Sequence, residues 1–513
     1  MFARLTVVAA GIVGVVVPLV LAIVTDGLSI PHNDAWAYSR IAQVFGASGH
    51  IQLLGWNRSA LFGQFMVLGP LAQWLVVQHL FVALLAVVAL AAVYDLVVDS
   101  VGRMRAAFAA FVVAIWPGFG LLATSFMPDV PAMTAILVCL AVGRRALRKD
   151  SWLLLAVSIG VGLWGFTIRE QAIAAPVAVL TIAGFRAWRS GRGRDRLGVV
   201  ALAAVAVVGA LVFEWWRQTF PGVDPPVVAV PADKLDVGGK VLAQGFFVLA
   251  LGLAPAVLLV ARPWRWRLGA VCVAAVVTVA AVVRVRSDGA QKFFVGNYLD
   301  PDGPYWAAGI GRPAAIFPAF VWWLLVAVAC VSGVLLAGVL VQRYRQWDPV
   351  LGAFVVLTVL GNVGSALTGQ LLYDRYWLLI LPALLAVVLS KEAESHRSSQ
   401  LAAGVVAVGL SVVAVVISAA GYAYDSARWD AAEQVVATTG VSDRDVNAGL
   451  EWNGWHSAVG MSPPASWQFP GSRPCFTVSA EERTAEPAVL VWTYRPLVVA
   501  GNARLWVYGQ PCS

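Results

Sequence analysis

The stretch SIPHNDAWAYSR, residues 29–40, sets one carboxylate, Asp34, between His32–Asn33 and the aromatics Trp36 and Tyr38, directly after the first long apolar run. Asp34 and Tyr38 are four residues apart and so share a face of any helix that starts here. Two chemistries fit. Asn33 or Asp34 caps the helix AWAYSRIAQVFG, a common fate of Asx residues ahead of an apolar-periodic segment. Alternatively, Asp34 is a base toward a hydroxyl at the rim of a membrane. Asp129 heads a second such segment, FMPDVPAMTAILVCL, where an acid followed by Val130 and Pro131 suits a helix start. Arg169 and Glu170, in FTIREQAI, stand between two apolar runs with no loop to hold them in water. Charges at such depth face a cavity or a partner, so they pair with each other or Arg169 binds an anion. Arg375 recurs in the same style in LLYDRYW, beside Tyr373, Asp374 and Tyr376, where the plainer role is anchoring in an aromatic belt. The histidines at 50, 79, 396 and 456 have no ligand spacing, and H-E-x-x-H, C-x-x-C and phosphate-cradling glycine loops are absent. Nothing supports ATP-driven or dinucleotide chemistry.

The elements that must position these residues are membrane helices. Of 513 residues, 60% are hydrophobic and 12% charged, and the mean hydropathy is +0.78. A soluble protein of this size carries about twice that share of charge. Hydropathy predicts about thirteen spans, at 5–25, 78–98, 107–123, 131–142, 152–167, 172–185, 197–216, 241–261, 268–283, 313–341, 350–369, 376–390 and 401–421. The first is read as an uncleaved span, since it is too long for a signal peptide and has no A-x-A-type cleavage site. Residues 61–77, with Gly63, Gln64, Gly69, Pro70 and Gln73, are read as interfacial or re-entrant.

Charge then sets orientation. On this parity one set of connections holds 19 basic and 7 acidic residues, the opposite set 11 and 12, and the segment from 422 onward 6 and 9. The positive-inside rule places the N-terminus in the cytoplasm and the C-terminal segment outside. The formal net charge of +8 therefore records membrane orientation and makes no case for nucleic acid. Two domains are expected: 1–421 in the membrane and 422–513 outside it. The latter has alternating stretches, AVLVWTY and ARLWVYG, that predict a small strand-containing fold. Its tryptophans at 429, 452, 455, 467, 492 and 506 would form a small core or stack on sugar. Cys475 and Cys512 lie in this segment and are placed to bond in an oxidising compartment, whereas Cys139, Cys272 and Cys330 sit in apolar runs.

In order and topology, PHNDAWAYSRIAQVFGASGHI, MPDVPAMTAILVCLAV, IREQAI and DRYWLLILPALLAVVL resemble the GT-C superfamily of membrane glycosyltransferases. The likeness is to its protein mannosyltransferase and aminoarabinose transferase-like branch. It spans roughly residues 5–390 and implies an all-α polytopic GT-C-like fold with a small extracytoplasmic domain. It implies a polyprenyl-phosphate-linked sugar donor and a cell-envelope glycan, lipid or protein acceptor. Asp34 takes the place of the first-loop catalytic carboxylate, with Asp129 near it. Arg58, Arg169, Lys292 and Arg375 become candidates for the donor phosphate, and His32, Tyr38, Tyr298 and Tyr376 for further substrate contacts. Two features depart from the family. A proline pair expected before the second helix is replaced by GWNRSALFGQ, and a single acid stands at 34 where two are common. A divalent cation is thus left open and not required. Two other activities use the same parts: a transporter or flippase of lipid-linked glycan, and an undecaprenyl-diphosphate glycan polymerase or ligase. The absence of a sequence repeat and the grouping of Asp34 with Asp129 on one face favour a transferase over transport.

Overall fold

The computed structural model describes residues 2–56, 60–221, 234–290, 292–304, 310–313, 315–368, 370, 372–390, 396–458, 469, 474–497, 501–509 and 512. Each predicted span contains helix, the one at 313–341 only from Ala319 onward. The chain opens with α1 (Phe2–Gly11) and α2 (Val17–Val24), joined by one π turn into a continuous rod. The first connection carries α3 (Ala35–Ser48) and the seven-residue α4 (Phe62–Leu68), far too short to cross a bilayer. Residues 61–64 are instead tied down by hydrogen bonds: Leu61 N to Ile168 O, Gln64 Nε2 to Phe126 O and Trp164 Nε1 to Gly63 O.

Next come α5 (Leu75–Val101), α6 (Arg103–Ala114), α7 (Phe119–Ala123), α8 (Asp129–Lys149), α9 (Trp152–Ile168), α10 (Ala174–Ser190) and α11 (Gly193–Arg217). The predicted span 107–123 is broken between α6 and α7, where Pro117 has no N–H to donate and biases its predecessor away from helix. The remaining spans are α12 (Lys234–Val260), α13 (Leu268–Asp288), α14 (Ala319–Gln342), α15 (Pro349–Leu367), α16 (Leu381–Val388) and α17 (Arg397–Thr439). Ten helices among the described residues are long and apolar enough to cross a membrane, and α9 is a shorter apolar one. The two remaining predicted spans, 107–123 and 376–390, are broken or partly 3-10 segments. The chain is a multi-pass membrane protein. Between apolar helices in lipid, close packing replaces hydrophobic drive: a Cβ on Gly162 would come within 2.7 Å of Pro176. On the outer rows, α11 and α13 leave most of their apolar side chains uncovered, as a lipid-facing surface requires.

The last helix departs from expectation. α17 is 43 residues long and passes unbroken through 421, the expected domain boundary. The 18 further residues carry it about 27 Å beyond that point, until Gly440 ends it with φ +72°. This rod is the spine of a second hydrophobic core. Trp429 on α17, Trp452 on α18 (Leu450–His456), and Phe476, Val478, Leu505 and Val507 from a sheet all bury there, joined by Ile30 from the first connection. The sheet comprises β1 (Val446–Asn447), β2 (Phe476–Ser479), β3 (Leu490–Tyr494) and β4 (Ala503–Gly509), in the order β1-β2-β4-β3. β1 runs parallel to β2, and the other pairs are antiparallel. Trp429 and Trp452 take the core role, meeting edge-on with ring centroids 5.1 Å apart. Trp467 lies outside the described residues. Cys475 and Cys512 form a disulfide.

The two ends of the bundle differ in charge. Away from the sheet domain, Arg145 and Arg148 pair with Asp95 and Asp99, and Arg144 pairs with Asp348. Arg105 donates to the carbonyls of Leu389 and Ser390, and Arg343 to those of Val387 and Val388. Guanidinium groups on the free carbonyls of a helix C-terminus satisfy both the hydrogen-bonding and the dipole demand.

Candidate active site

On the sheet-domain side, four charged side chains from four separate segments converge. Asp34 stands immediately before α3, yet its side chain makes no capping bond. Its Oδ1 accepts from Trp56 Nε1 at 2.8 Å and its Oδ2 from Arg375 Nη2 at 3.1 Å. Asp129 opens α8, where Oδ1 accepts from Arg169 and lies 3.7 Å from Arg375 Nε. Arg375 is thereby the bridge between both acids. Its other terminal nitrogen donates to Asn297 Oδ1 at 2.9 Å, and Asn297 also accepts from Asn33 Nδ2 at 3.2 Å.

Two tyrosines back the guanidinium groups. Arg169 lies 4.4 Å from the centroid of Tyr376, and Arg375 lies 5.0 Å from Tyr373 and 5.5 Å from Tyr376. Such desolvated stacking favours arginine over lysine. Tyr38, one turn along α3 from Asp34, is buried in the same field. Burial pushes its phenol well above the usual range, with Asp34 adding to the shift and Arg375 opposing it. It therefore stays a neutral hydrogen-bond donor. Tyr298 is also buried, and burial raises its phenol too. Its backbone N–H and that of Leu299 donate to Asp374 Oδ2 at 2.8 and 2.7 Å, while Arg375 N donates to Oδ1 at 2.7 Å. Asp374 thus staples the 297–299 loop to the segment carrying Arg375, and so places Asn297.

The cluster is closed except at one edge. The side chains of Asp129, Arg169 and Arg375 are 3%, 7% and 5% exposed, whereas Asp34 is 17% exposed. Among the described residues, two buried polar atoms, Asp129 Oδ2 and Arg375 Nε, have no partner within hydrogen-bond distance. Such atoms are the unused bonding capacity of the site.

Other candidates lie elsewhere. Arg169 and Glu170 do not pair: Arg169 turns to Asp129, and Glu170 to Arg217 at 2.8 Å. His32 has both ring nitrogens committed, Nδ1 to Asp425 at 2.6 Å and Nε2 to the Gly27 carbonyl at 2.9 Å, which leaves its ring no free edge for substrate. Lys292 is exposed, and what the structure engages is its carbonyl, which accepts from Gln244 and Arg284; it does not join the cluster. Arg58 lies outside the described residues. Among the described residues no group of three or more His, Cys, Asp or Glu side chains is arranged to hold a metal ion. Trp56 and Asn297 were not foreseen. Both are uncharged loop residues, and nothing in their sequence context marks them.

Comparison with known proteins adds to this geometry. Residues 66–216 match the family model described as dolichyl-phosphate-mannose-protein mannosyltransferase. That stretch runs from within α4 through most of α11 and contains Asp129 and Arg169, but neither Asp34 nor Arg375. It bears out the GT-C resemblance over that part of the chain. Among solved structures, ArnT from Cupriavidus metallidurans bound to undecaprenyl phosphate is 14% identical, with 96% of each chain covered and a TM-score of 0.38. Its apo state gives 15%, coverages of 96% and 97%, and again 0.38. The Archaeoglobus fulgidus oligosaccharyltransferase complex with zinc and sulfate is 13% identical, with 89% of this chain and 59% of that one covered and a TM-score of 0.27. These likenesses are loose. No curated protein matches the chain.

Proposed function

We infer that this protein is a membrane glycosyltransferase that moves a sugar from a polyprenyl-phosphate-linked donor to a hydroxyl-bearing acceptor on the extracytoplasmic face. The observation that carries this reading is the Asp34–Arg375–Asp129–Arg169 cluster, in which one carboxylate reaches the open edge and two guanidinium groups lie behind it. The family-model match and the membrane helices support the same reaction class. The basic loops at the far end of the bundle support a cytoplasmic location for that end, and so an outward-facing cluster.

Each part has a chemical task. The acceptor oxygen attacks the anomeric carbon, the C–O bond to the lipid phosphate breaks, and the phosphate leaves with the bonding pair. Asp34, already oriented by Trp56 and Arg375, accepts the acceptor's proton or holds its hydroxyl in line. Arg375 and Arg169 stabilise the charge that grows on the leaving phosphate. They are held in a dry site by Tyr373 and Tyr376, so little reorganisation is needed as that charge develops. A single displacement inverts the anomeric centre.

The test is release of labelled sugar from a panel of polyprenyl-phosphate sugars by purified protein, wild type beside Asp34→Asn. Loss of a general base costs about 10²–10⁴-fold, so the variant should remain folded and lose turnover on that scale. Near wild-type turnover would remove Asp34 from the mechanism. Release from no donor by the wild type would sink the transferase reading and make lipid transport in proteoliposomes the next question.

A further inference from the structure

His32, Asp425, Arg428 and Glu451 are each 1–2% exposed and form one continuous chain. His32 Nδ1 meets Asp425 Oδ2 at 2.6 Å, Arg428 Nη2 donates to Asp425 Oδ1 at 2.7 Å, and Arg428 Nη1 donates to Glu451 Oε2 and Ala448 O at 2.9 Å each. The His32 ring faces a carboxylate on one side and a carbonyl on the other. The Arg428 guanidinium in turn lies between the carboxylates of Asp425 and Glu451, so the four side chains link one to the next without a gap. Full burial of four such groups is costly unless each is paired. None of them belongs to the cluster around Arg375. They join three pieces of chain: the first connection, the extension of α17, and α18.

The end of this chain is what gives it meaning. His32 is two residues before Asp34. Asn33, between them, has φ +57°, a left-handed conformation uncommon outside glycine that Asn adopts more readily than most residues. It is fixed on both sides: His32 is anchored to Asp425 and Gly27, and the Asn33 side chain is anchored to Asn297. α18 also grips α3 directly, with Arg40 Nη1 donating to Gly454 O at 2.7 Å and Ser457 Oγ at 3.1 Å.

We propose that the His32–Asp425–Arg428–Glu451 chain is a clamp by which the sheet domain sets the direction of Asp34. His32, Asp425 and Glu451 are then positioning residues that touch no substrate and act through the Asp34 carboxylate. This deepens the transferase reading and rests on it for its kinetic consequences. A misplacement of about 1 Å at a reacting group costs up to about 100-fold in rate. The clamp does not touch the arginines assigned to the donor phosphate.

The experiment uses the full chain in detergent, with Glu451→Gln and Asp425→Asn, each alone and combined with Asp34→Asn. Amide hydrogen exchange over residues 33–37 is read first, where Ala35 N donates to His32 O and Ala37 N to Asp34 O. Exchange there should rise in both clamp variants while α9 and α10 stay protected. Sugar release from the polyprenyl-phosphate donor should fall about 10- to 100-fold in kcat, with KM for the donor within about twofold. In the Asp34→Asn background the clamp variants should cost nothing further, because their effect runs through that carboxylate. A merely structural role would give losses that add to those of Asp34→Asn, and additive losses overturn the proposal. Unchanged exchange over 33–37 overturns it as well. If Asp425→Asn does not fold, Glu451→Gln, at the far end of the chain, decides alone. Absence of turnover in the wild type counts against the transferase reading, and the exchange measurement then decides the clamp by itself.

Discussion

Arg375→Lys tests the reading of the cluster most directly, because it keeps the charge and removes the fork. The guanidinium reaches Asn297 at 2.9 Å with one arm and Asp34 at 3.1 Å with the other, while Nε stands 3.7 Å from Asp129. A single ammonium cannot occupy those three directions. It keeps one carboxylate and releases at least one charge-assisted hydrogen bond, worth about 1.5–3 kcal/mol. If the lost bond is the one that orients Asp34, the same energy appears in the barrier. At about 1.36 kcal/mol per tenfold, turnover falls roughly 10- to 150-fold. Arg375→Ala is less informative, since taking the cation away from the buried Asp129 and the partly buried Asp34 costs about 3–5 kcal/mol and threatens folding. The assay is single-turnover sugar release by purified protein, with gel filtration and thermal unfolding to confirm an intact fold. A well-folded Arg375→Lys with wild-type turnover would refute the idea that the fork orders the site.

Three further outcomes concern the sheet domain. The Cys475–Cys512 bond spans a sequence separation of 37 residues; a loop of that size constrains the unfolded chain by about 3–4 kcal/mol in the entropic account. Cys475→Ser should therefore lower the unfolding temperature of the sheet domain, and an unchanged melt under reducing conditions would contradict the bond. Gly454 has no room for a side chain, since a Cβ would lie 2.4 Å from the Trp36 indole. Gly454→Ala should cost about 1–3 kcal/mol through overpacking and loosen α18 from α3, seen as faster exchange in both helices. His456 is held below its usual pKa mainly by burial, with the Arg40 and Arg444 charges adding to this and Asp443 opposing it. The unfolded chain therefore binds the proton more readily than the folded one. Stability from this residue is full above about pH 6.5 and declines as the pH falls from there toward the lowered value. Denaturant unfolding followed by tail-domain tryptophan fluorescence should show that slope, and His456→Gln should flatten it.

What the sequence allowed to be read, and what it hid, divide along physical lines. Spans such as Ala319–Gln342 announce themselves because about 20 apolar residues have few other uses. Arg169 was visible because a charge set between apolar runs must find a partner, and Arg375 recurred in the same style; both pair with Asp129, and Arg375 also with Asp34. Uncharged loop residues carry no such signal. Trp56 and Asn297 reach the cluster from loops that no periodicity orders, and they become visible only once Asp34 and Arg375 are seen to lack other partners for their remaining bonds. His32 misled for the opposite reason: its ring is reactive in type but wholly spent on Asp425 and Gly27. The extension of α17 was hidden because hydropathy falls away after 421 while helix propensity does not. After Gly421, YAYDSARWDAAEQVVATT has neither glycine nor proline before Gly440, so the helix leaves the apolar region and keeps going. That continuity has a mechanical consequence. The rod that spans the bundle also presents Asp425 to the loop of Asp34, so displacement of the sheet domain must be felt two residues from the carboxylate assigned to the chemistry.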